Sequence, residues 1–326
     1  MKKTVMILAG GLLCSSLATA ADSPDLIAQA KKEGSVTFNV WYLQPQWRSF
    51  VKDFEQQYGV KVRIPEGNID GNVNKLLAEA GKKRGKIDVI ALSVAQLPVA
   101  MGAKALAKVD DLPGYGDAIH QIQNVDTQGY AVAFWGNQTG FAYDPQQMGD
   151  RALPQTLEQL QSFIDANPKK FGYNDPNNGG AGEAFIQRIV TTQGDTFNSE
   201  AESVDPAVVK NWQKGWQWFA HLVGLQKTGA INSRLKFYVP EFGMPGGGNI
   251  AAIAANSPHP AASRLFLNWL IQPETQHALS KVFGSTPMNK QLRPDLNEIP
   301  EPTVKFYGKA YSTQLKKDFV REVMMQ

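Results

Sequence analysis

The amino-acid sequence predicts an α/β fold built on a parallel sheet. Between residues 35 and 92, short strand-like runs alternate with amphipathic helical segments in the order β-α-β-α-β, which is typical of a parallel sheet with helices on its faces. The last run, Ile87 to Leu92, is mostly apolar, as a strand buried on both faces should be. The 326 residues are 43% hydrophobic and 19% charged, so the chain has the composition of a folded protein of one large domain or two ordinary ones.

The first helices and strands have clear local signals. Ser23 before Pro24 is an N-cap with proline at the first helical position, and Gly34 ends that helix. Ser35 to Trp41 is rich in β-branched and aromatic residues and predicts a strand. One apolar face predicts the next helix, which ends at Gly59; the face is formed by Trp47, Phe50, Val51, Phe54 and Tyr58.

The rest of the chain continues the alternation of strands and helices. Gly129 to Tyr143 predicts two apolar strands around a turn, and Thr156 and Asp205 each precede a helical segment. Further strands are predicted at 235–239 and 249–254, and two helices flank Pro273. The glycine-rich stretch from Gly243 to Gly248 is predicted as a loop.

Residues 1–20 have the layout of a secretory signal peptide. Lys2 and Lys3 form a positive n-region, Thr4 to Leu17 is uncharged and mostly apolar, and Ala18 to Ala20 fits a cleavage site. A membrane anchor is the alternative, but a run of about 14 residues is short for a bilayer span. We therefore predict a soluble chain that is exported to the periplasm.

Composition disfavours several classes of function. A formal net charge of +3 is small for a nucleic-acid-binding protein. One cysteine and four dispersed histidines predict no metal site and no cofactor. The chain carries neither a Gly-x-Ser-x-Gly nor a His-Glu-x-x-His motif. We therefore expect that the protein is not an enzyme, and a secreted hydrolase is the least favoured hypothesis.

Two late segments resemble a known family. The segments are 236–249 and 255–276, and together they resemble extracellular solute-binding proteins of bacterial ABC importers, in the branch of polyamine, ferric-iron and thiamine receptors. The matching residues are Tyr238, Pro240, Gly243, Asn256, Pro258, Pro260, Ala261, Ala262, Phe266, Leu270, Pro273, Glu274 and Gln276. Trp135-Gly136 before Tyr143-Asp144-Pro145, and residues 167–175, are also similar to the family.

The resemblance implies a two-lobed periplasmic-binding-protein fold of type II. Each lobe would be a mainly parallel sheet flanked by helices, with a cleft between the lobes. Lobe 1 would comprise residues 21–138 and 250–326, and lobe 2 residues 139–249 with the hinge strands. Hinge closure would capture a small solute, and an ABC permease in the inner membrane would recognise the closed monomer.

The chain departs from this family at one point. The Trp-rich helix near Trp212 reaches the strand at 235–239 in fewer residues than such receptors usually have, and elements near 221–235 are predicted to be missing. Two interpretations stay open. One is a deletion of about forty residues that removes a strand of lobe 2 and part of its binding wall, and the other is a compact functional branch.

Four candidate ligand contacts lie on the first lobe. Trp41 and Tyr42 directly follow the first strand, where an aromatic ring can stack on a sugar or a cation. Ser93 follows the strand at 87–92 and offers a hydroxyl group and a backbone amide. Trp135 lies at the crossing between the lobes. Ligands of open α/β sheets bind at the carboxyl ends of strands, so we expect these residues in the cleft.

Five further candidates lie on the second lobe. Gly180, Ala181 and Gly182 open a predicted helix, whose free amides favour an anion; a plain glycine-rich loop is the alternative. Tyr238 and Glu241 lie on the segment that returns to the first lobe. Glu241 can pair with an amine, although a solvated side chain is the alternative.

The leading hypothesis is a periplasmic receptor that delivers a small solute to an ABC permease. A non-transporting or defective truncated binding module is the second hypothesis. The solute stays open among a polyamine, a thiamine-like compound and a phosphorylated or phosphonate compound. Ferric iron is disfavoured because the chain lacks the adjacent tyrosines that the resemblance implies for iron receptors.

Overall fold

The fold is known from a computed structural model. It describes residues 22–122, 125–168, 170–173, 180–191, 201, 203–213, 215–216, 236–292, 303–304 and 309–325. The predicted signal peptide at 1–20 and the shortened segment at 221–235 lie outside the described residues, and both stay predictions.

Helices and strands alternate along the described chain. The helices are α1 (Pro24–Glu33), α2 (Gln44–Phe50), α3 (Lys52–Tyr58), α4 (Ile69–Glu79), α5 (Leu97–Gly102), α6 (Pro145–Met148), α7 (Leu157–Ala166), α8 (Gly180–Thr191), α9 (Pro206–Asn211), α10 (Pro260–Ile271), α11 (Pro273–Phe283) and α12 (Lys309–Phe319). The strands are β1 (Ser35–Asn39), β2 (Lys61–Arg63), β3 (Val89–Ser93), β4 (Gln121–Ile122), β5 (Val125–Asp126), β6 (Val132–Gln138), β7 (Phe141–Tyr143), β8 (Lys236–Tyr238), β9 (Met244–Ile253) and β10 (Thr303–Val304). The α/β class predicted from the sequence is therefore confirmed.

The larger sheet mixes parallel and antiparallel strands. Its strand order is β10-β9-β3-β1-β2, and β6 also pairs with β9. Strands β2 and β3 run parallel to β1, as the β-α-β-α-β order predicted. Strand β10 runs parallel to β9. Strand β9 runs antiparallel to β3 and β6, so the sheet is mixed. Strands β7 and β8 form a separate antiparallel pair.

Both faces of this sheet are buried. Along β3, Val89 and Ala91 belong to one hydrophobic core, whereas Ile90 and Leu92 belong to a second core. All four side chains are fully buried. Because successive side chains of a strand point to opposite faces, helices cover the sheet on both sides, as the apolar run at 87–92 predicted.

A third hydrophobic core lies among α7, α8 and α12. Leu160, Phe185, Tyr311 and Leu315 are buried in it. The predicted domain division grouped residues 250–326 with lobe 1, whereas α12 packs with helices of the segment 139–249. The pair Tyr311 and Leu315 explains this packing, because residues four apart present one apolar face to α8. The boundaries of the two lobes stay a prediction.

Two strands connect the third core to the sheet cores. On β9, Met244 is buried in the third core and Ile250 in a sheet core. Phe134 of β6 is buried in a sheet core, and Phe141, just beyond β6, packs against the third core. The third core is therefore linked to the sheet cores through β9 and through the segment from β6 to β7, and the positions at which the chain crosses between lobes stay a prediction.

The glycine-rich stretch at 243–248 was predicted as a loop, and that prediction is wrong. Met244 to Gly248 form the first half of β9 and pair with β6. A Cβ atom added at Gly248 would collide with Met288 Cε and would lie 2.9 Å from the carbonyl oxygen of Trp135. Glycine therefore marks a close approach of two segments within the strand and not a turn.

Candidate functional site

Three aromatic side chains meet beyond the carboxyl end of β1: Trp41 and Tyr42 follow that strand, and Trp135 lies on β6. The rings of Trp41 and Tyr42 have centroids 4.8 Å apart, and the rings of Tyr42 and Trp135 have centroids 5.0 Å apart, both edge to face. We call these three residues the aromatic ledge. The geometry is a favourable one for aromatic pairs, so the ledge is held together by its own packing.

Asn249 fixes the centre of the ledge. Its Nδ2 donates a hydrogen bond of 3.2 Å to Tyr42 Oη. In the sheet, Asn249 of β9 lies opposite Ser93 of β3 on one side and opposite Trp135 of β6 on the other. Asn249 was not predicted from the sequence, because its position in the cluster depends on strand register, which has no local sequence signal.

Tyr42 is a neutral hydrogen-bonding group at the centre of the site. Burial raises the pKa of its phenol above the ordinary value, and the hydrogen bond from Asn249 only partly opposes this effect. Because the oxygen accepts from Asn249, the hydroxyl hydrogen can donate to a ligand. The ledge therefore combines aromatic surface with an oriented polar group.

The ledge residues differ in how far they reach the surface. Trp135 is 9% exposed and packs against Trp47 and Phe283, with centroids 5.9 and 5.3 Å away. Trp41 and Tyr42 are half-buried. Trp135 therefore serves mainly as the floor of the ledge, and Trp41 and Tyr42 present the surface that a ligand can touch.

Ser93 lies beside the ledge, but its amide is engaged. The Ser93 amide donates a hydrogen bond of 3.0 Å to Gln96 Oε1, and the two residues form a capping box on the helical turn Val94–Gln96. The sequence analysis offered this amide to a polar ligand group. In the structure it stabilises the start of the turn instead, and the contact with a ligand stays a prediction.

The second-lobe candidates lie on other elements. Helix α8 begins at Gly180, as predicted, with Gly180 and Ala181 exposed and Gly182 buried. Tyr238 lines a cavity beside β7 and donates a hydrogen bond of 3.0 Å to the carbonyl oxygen of Pro154. Glu241 is exposed, and its amide donates to Gln155 Oε1. Their contact with the same ligand as the ledge stays a prediction.

Among the described residues, no group of three or more His, Cys, Asp or Glu side chains is placed to hold a metal ion. No described helix is long and apolar enough to cross a membrane.

The chain belongs to the family of bacterial extracellular solute-binding proteins. The family model matches residues 49–233, which is more than half of the chain. The match includes the ledge residue Trp135 and the strand β3. No curated protein matches the sequence.

Several solved structures share the fold at low sequence identity. The spermidine/putrescine ABC transporter substrate-binding protein PotD of Streptococcus pneumoniae has a TM-score of 0.61 and 13% identity, over 88% of this chain and 99% of its own. The GacH receptor of Streptomyces glaucescens, solved with acarbose, has a TM-score of 0.67 and 15% identity, over 90% and 93%. The periplasmic binding protein AfuA of Actinobacillus pleuropneumoniae, solved with fructose-6-phosphate, has a TM-score of 0.58 and 16% identity, over 90% and 98%.

Proposed function

We propose that the chain is the solute receptor of a bacterial ABC importer. The observation that carries the proposal is the aromatic ledge. It includes Trp135 of β6, and the hydrogen bond from Asn249 to Tyr42 joins it to β9. Family membership and the fold shared with PotD, GacH and AfuA support it. After export, the protein binds its solute in the periplasm and presents the closed form to a permease.

We propose an organic amine as the class of solute. Aromatic faces attract cations through their negative ring potential, and the two outer ledge residues, Trp41 and Tyr42, are aromatic. Near the ledge, the Ser93 amide is not available to an anion, because it is already bonded to Gln96. A polyamine and a thiamine-like cation both supply the positive charge that this contact needs, whereas a phosphorylated sugar could use the rings only for stacking and an amine-free phosphonate supplies no positive charge.

Capture of the solute would depend on closure of the lobes about the strands that connect them. A solute that lies on the ledge and also touches the second lobe stabilises the closed form by its differential affinity for the two states. Asn249 lies on β9, which connects the lobes, and it holds Tyr42 in place. Closure thus brings the second lobe toward a ledge that is already ordered.

The experiment is a thermal-unfolding screen of the purified protein. The panel contains spermidine, thiamine, fructose 6-phosphate and methylphosphonate. An amine present at a hundred times its dissociation constant should add about 2.7 kcal/mol to the free energy of unfolding. A shift with spermidine or thiamine alone supports the proposal.

Other outcomes of the screen overturn parts of the proposal. A shift with the phosphorylated sugar alone contradicts the amine class but still supports the proposal that the protein is a solute receptor. A sharp transition that no compound shifts contradicts the amine class as well. A broad, non-cooperative transition favours the second hypothesis, a defective module with a shortened second lobe.

A further inference from the structure

A separate cavity lies beside β7, away from the aromatic ledge. Its volume is about 460 Å³, which is within the range of small-molecule sites. Phe141, Tyr143 and Tyr238 form one wall, and Phe163 and Phe171 of the neighbouring segments also line it. None of the three ledge residues lines this cavity.

The wall of the cavity is a packed aromatic surface. The ring of Phe141 lies 5.7 Å from that of Tyr238 and 5.8 Å from that of Phe171, both edge to face. The rings of Tyr143 and Tyr238 are 5.9 Å apart. Such a wall is preorganised for a flat apolar ring, because aromatic pairs favour edge-to-face and offset contacts at these distances.

Two cations also line the cavity. Arg151 donates from Nε to the carbonyl oxygen of Met148 at 2.9 Å, from Nη1 to Asn167 Oδ1 at 2.7 Å and from Nη2 to the carbonyl oxygen of Gln147. Nη1 and Nη2 each keep a second hydrogen for a ligand, and the guanidinium lies 5.9 Å from the Phe163 ring. These partners are uncharged, so they orient the guanidinium without neutralising it. Lys170 lines the same cavity.

The acidic and phenolic groups of the lining do not cancel this positive charge. Asp144 also lines the cavity, but its carboxylate caps α6 by accepting from the Gln146 amide at 2.9 Å. Burial raises the pKa of Tyr238 to about 12, so the phenol is neutral near pH 7. With one carboxylate against two cations, the lining carries a net positive charge.

We propose that this cavity is a second binding site, for a small planar aromatic carboxylate. The ring of the ligand packs against Phe141, Tyr143 and Tyr238, and its carboxylate pairs with the Arg151 guanidinium. Arginine is suited to this role because its planar fork matches a carboxylate. The site is independent of the solute that the ledge binds.

The test is calorimetric titration of the purified protein with 2-naphthoate and, as the neutral isostere, 2-naphthamide. We expect saturable binding of 2-naphthoate and at least tenfold weaker binding of 2-naphthamide, because a hydrogen bond to a charged group contributes more than a neutral one. Arg151→Gln should weaken 2-naphthoate at least tenfold. Arg63→Gln is the matched control, since Arg63 is exposed on β2 in the other lobe.

Two further variants distinguish binding in the cavity from binding at the ledge. Gln147→Trp introduces a large side chain at an exposed position of α6 that lines the cavity, and it should abolish 2-naphthoate binding while the circular dichroism spectrum is unchanged. Trp41→Ala should leave 2-naphthoate binding unchanged. The proposal is overturned if 2-naphthoate does not bind, if Arg151→Gln binds it as well as the unmodified protein, or if Trp41→Ala abolishes its binding.

Discussion

Tyr42 Oη accepts a hydrogen bond from Asn249 Nδ2 at 3.2 Å, across 207 residues of sequence. The bond joins the segment after β1 to β9, a strand that reaches from the third core into the large sheet. The orientation of the aromatic ledge therefore depends on the strand that links the proposed lobes.

Tyr42→Phe should weaken solute binding more than it weakens the fold. The variant keeps the ring contacts with Trp41 and Trp135 but removes the acceptor for Asn249 and the donor for a ligand. We expect a loss of about 1 kcal/mol in the free energy of unfolding and several-fold weaker binding of an amine found by the screen. Urea unfolding and calorimetry measure the two effects. Unchanged affinity would show that the hydroxyl group does not contact the solute.

Gly136→Ala should destabilise the protein. A Cβ atom at Gly136 would lie 2.6 Å from both the Cβ and the carbonyl oxygen of Thr286, and the two residues exchange backbone hydrogen bonds of 2.9 and 3.0 Å. Backbone cannot move aside easily, so we expect a cost of about 1–3 kcal/mol by urea unfolding. Gly102→Ala is the control, because nothing lies within 4 Å of its added Cβ; an equal loss there would refute the steric explanation.

Asp88→Ala should be among the costliest single changes in the first lobe. Asp88 is fully buried and accepts hydrogen bonds from the Thr37 amide at 2.8 Å, Ser257 Oγ at 2.6 Å and the His259 amide at 3.0 Å. Truncation removes the acceptor of the Thr37 amide and the partner of the His259 ring, whose Nδ1 lies 2.9 Å from Asp88 Oδ2. We therefore expect a loss of about 3 kcal/mol. Asp53→Ala, at an exposed position of α3, should change the free energy of unfolding by less than about 0.5 kcal/mol. Similar losses in both variants would contradict this role of Asp88.

The raised pKa of Tyr238 should account for part of the fall in the free energy of unfolding at alkaline pH. Burial raises its pKa from 10 to about 12. Between these pH values the unfolded chain loses the phenol proton and the folded chain keeps it, so the free energy of unfolding falls as pH rises. Between pH 9 and pH 11, Tyr238→Phe should lose less stability than the unmodified protein, by less than about 1 kcal/mol because the ring is only half-buried. Parallel losses in urea unfolding would contradict the assignment.

Local signals predicted the elements that depend on neighbouring residues. Ser23 caps α1 through a hydrogen bond from the Leu26 amide, and Gly34 ends that helix at φ 76°. Thr156 begins α7 with a capping box. These features were readable because a cap or a left-handed terminus needs particular residue types within a few positions.

Features that depend on contacts between segments distant in sequence could not be predicted from local signals. Gly246 to Gly248 pair with Gln138, Asn137 and Gly136 of β6, and only that pairing reveals a strand where composition suggested a loop. Asn249 reaches the ledge through the register of β9. The ledge residues Trp41, Tyr42 and Trp135 were predicted as contacts separately, but their mutual packing depends on the fold of the whole first lobe.

The most direct test of the account is a calorimetric titration of spermidine into the unmodified protein and into Trp41→Ala and Tyr130→Ala. Tyr130 is an aromatic control outside the ledge, with Lys108 Nζ 4.3 Å above its ring. We predict saturable binding to the unmodified protein and to Tyr130→Ala, and at least tenfold weaker binding to Trp41→Ala, since a desolvated cation–π contact contributes about 2 kcal/mol. Equal affinity in all three proteins, or no binding to the unmodified protein, would contradict the claim that the aromatic ledge binds a polyamine.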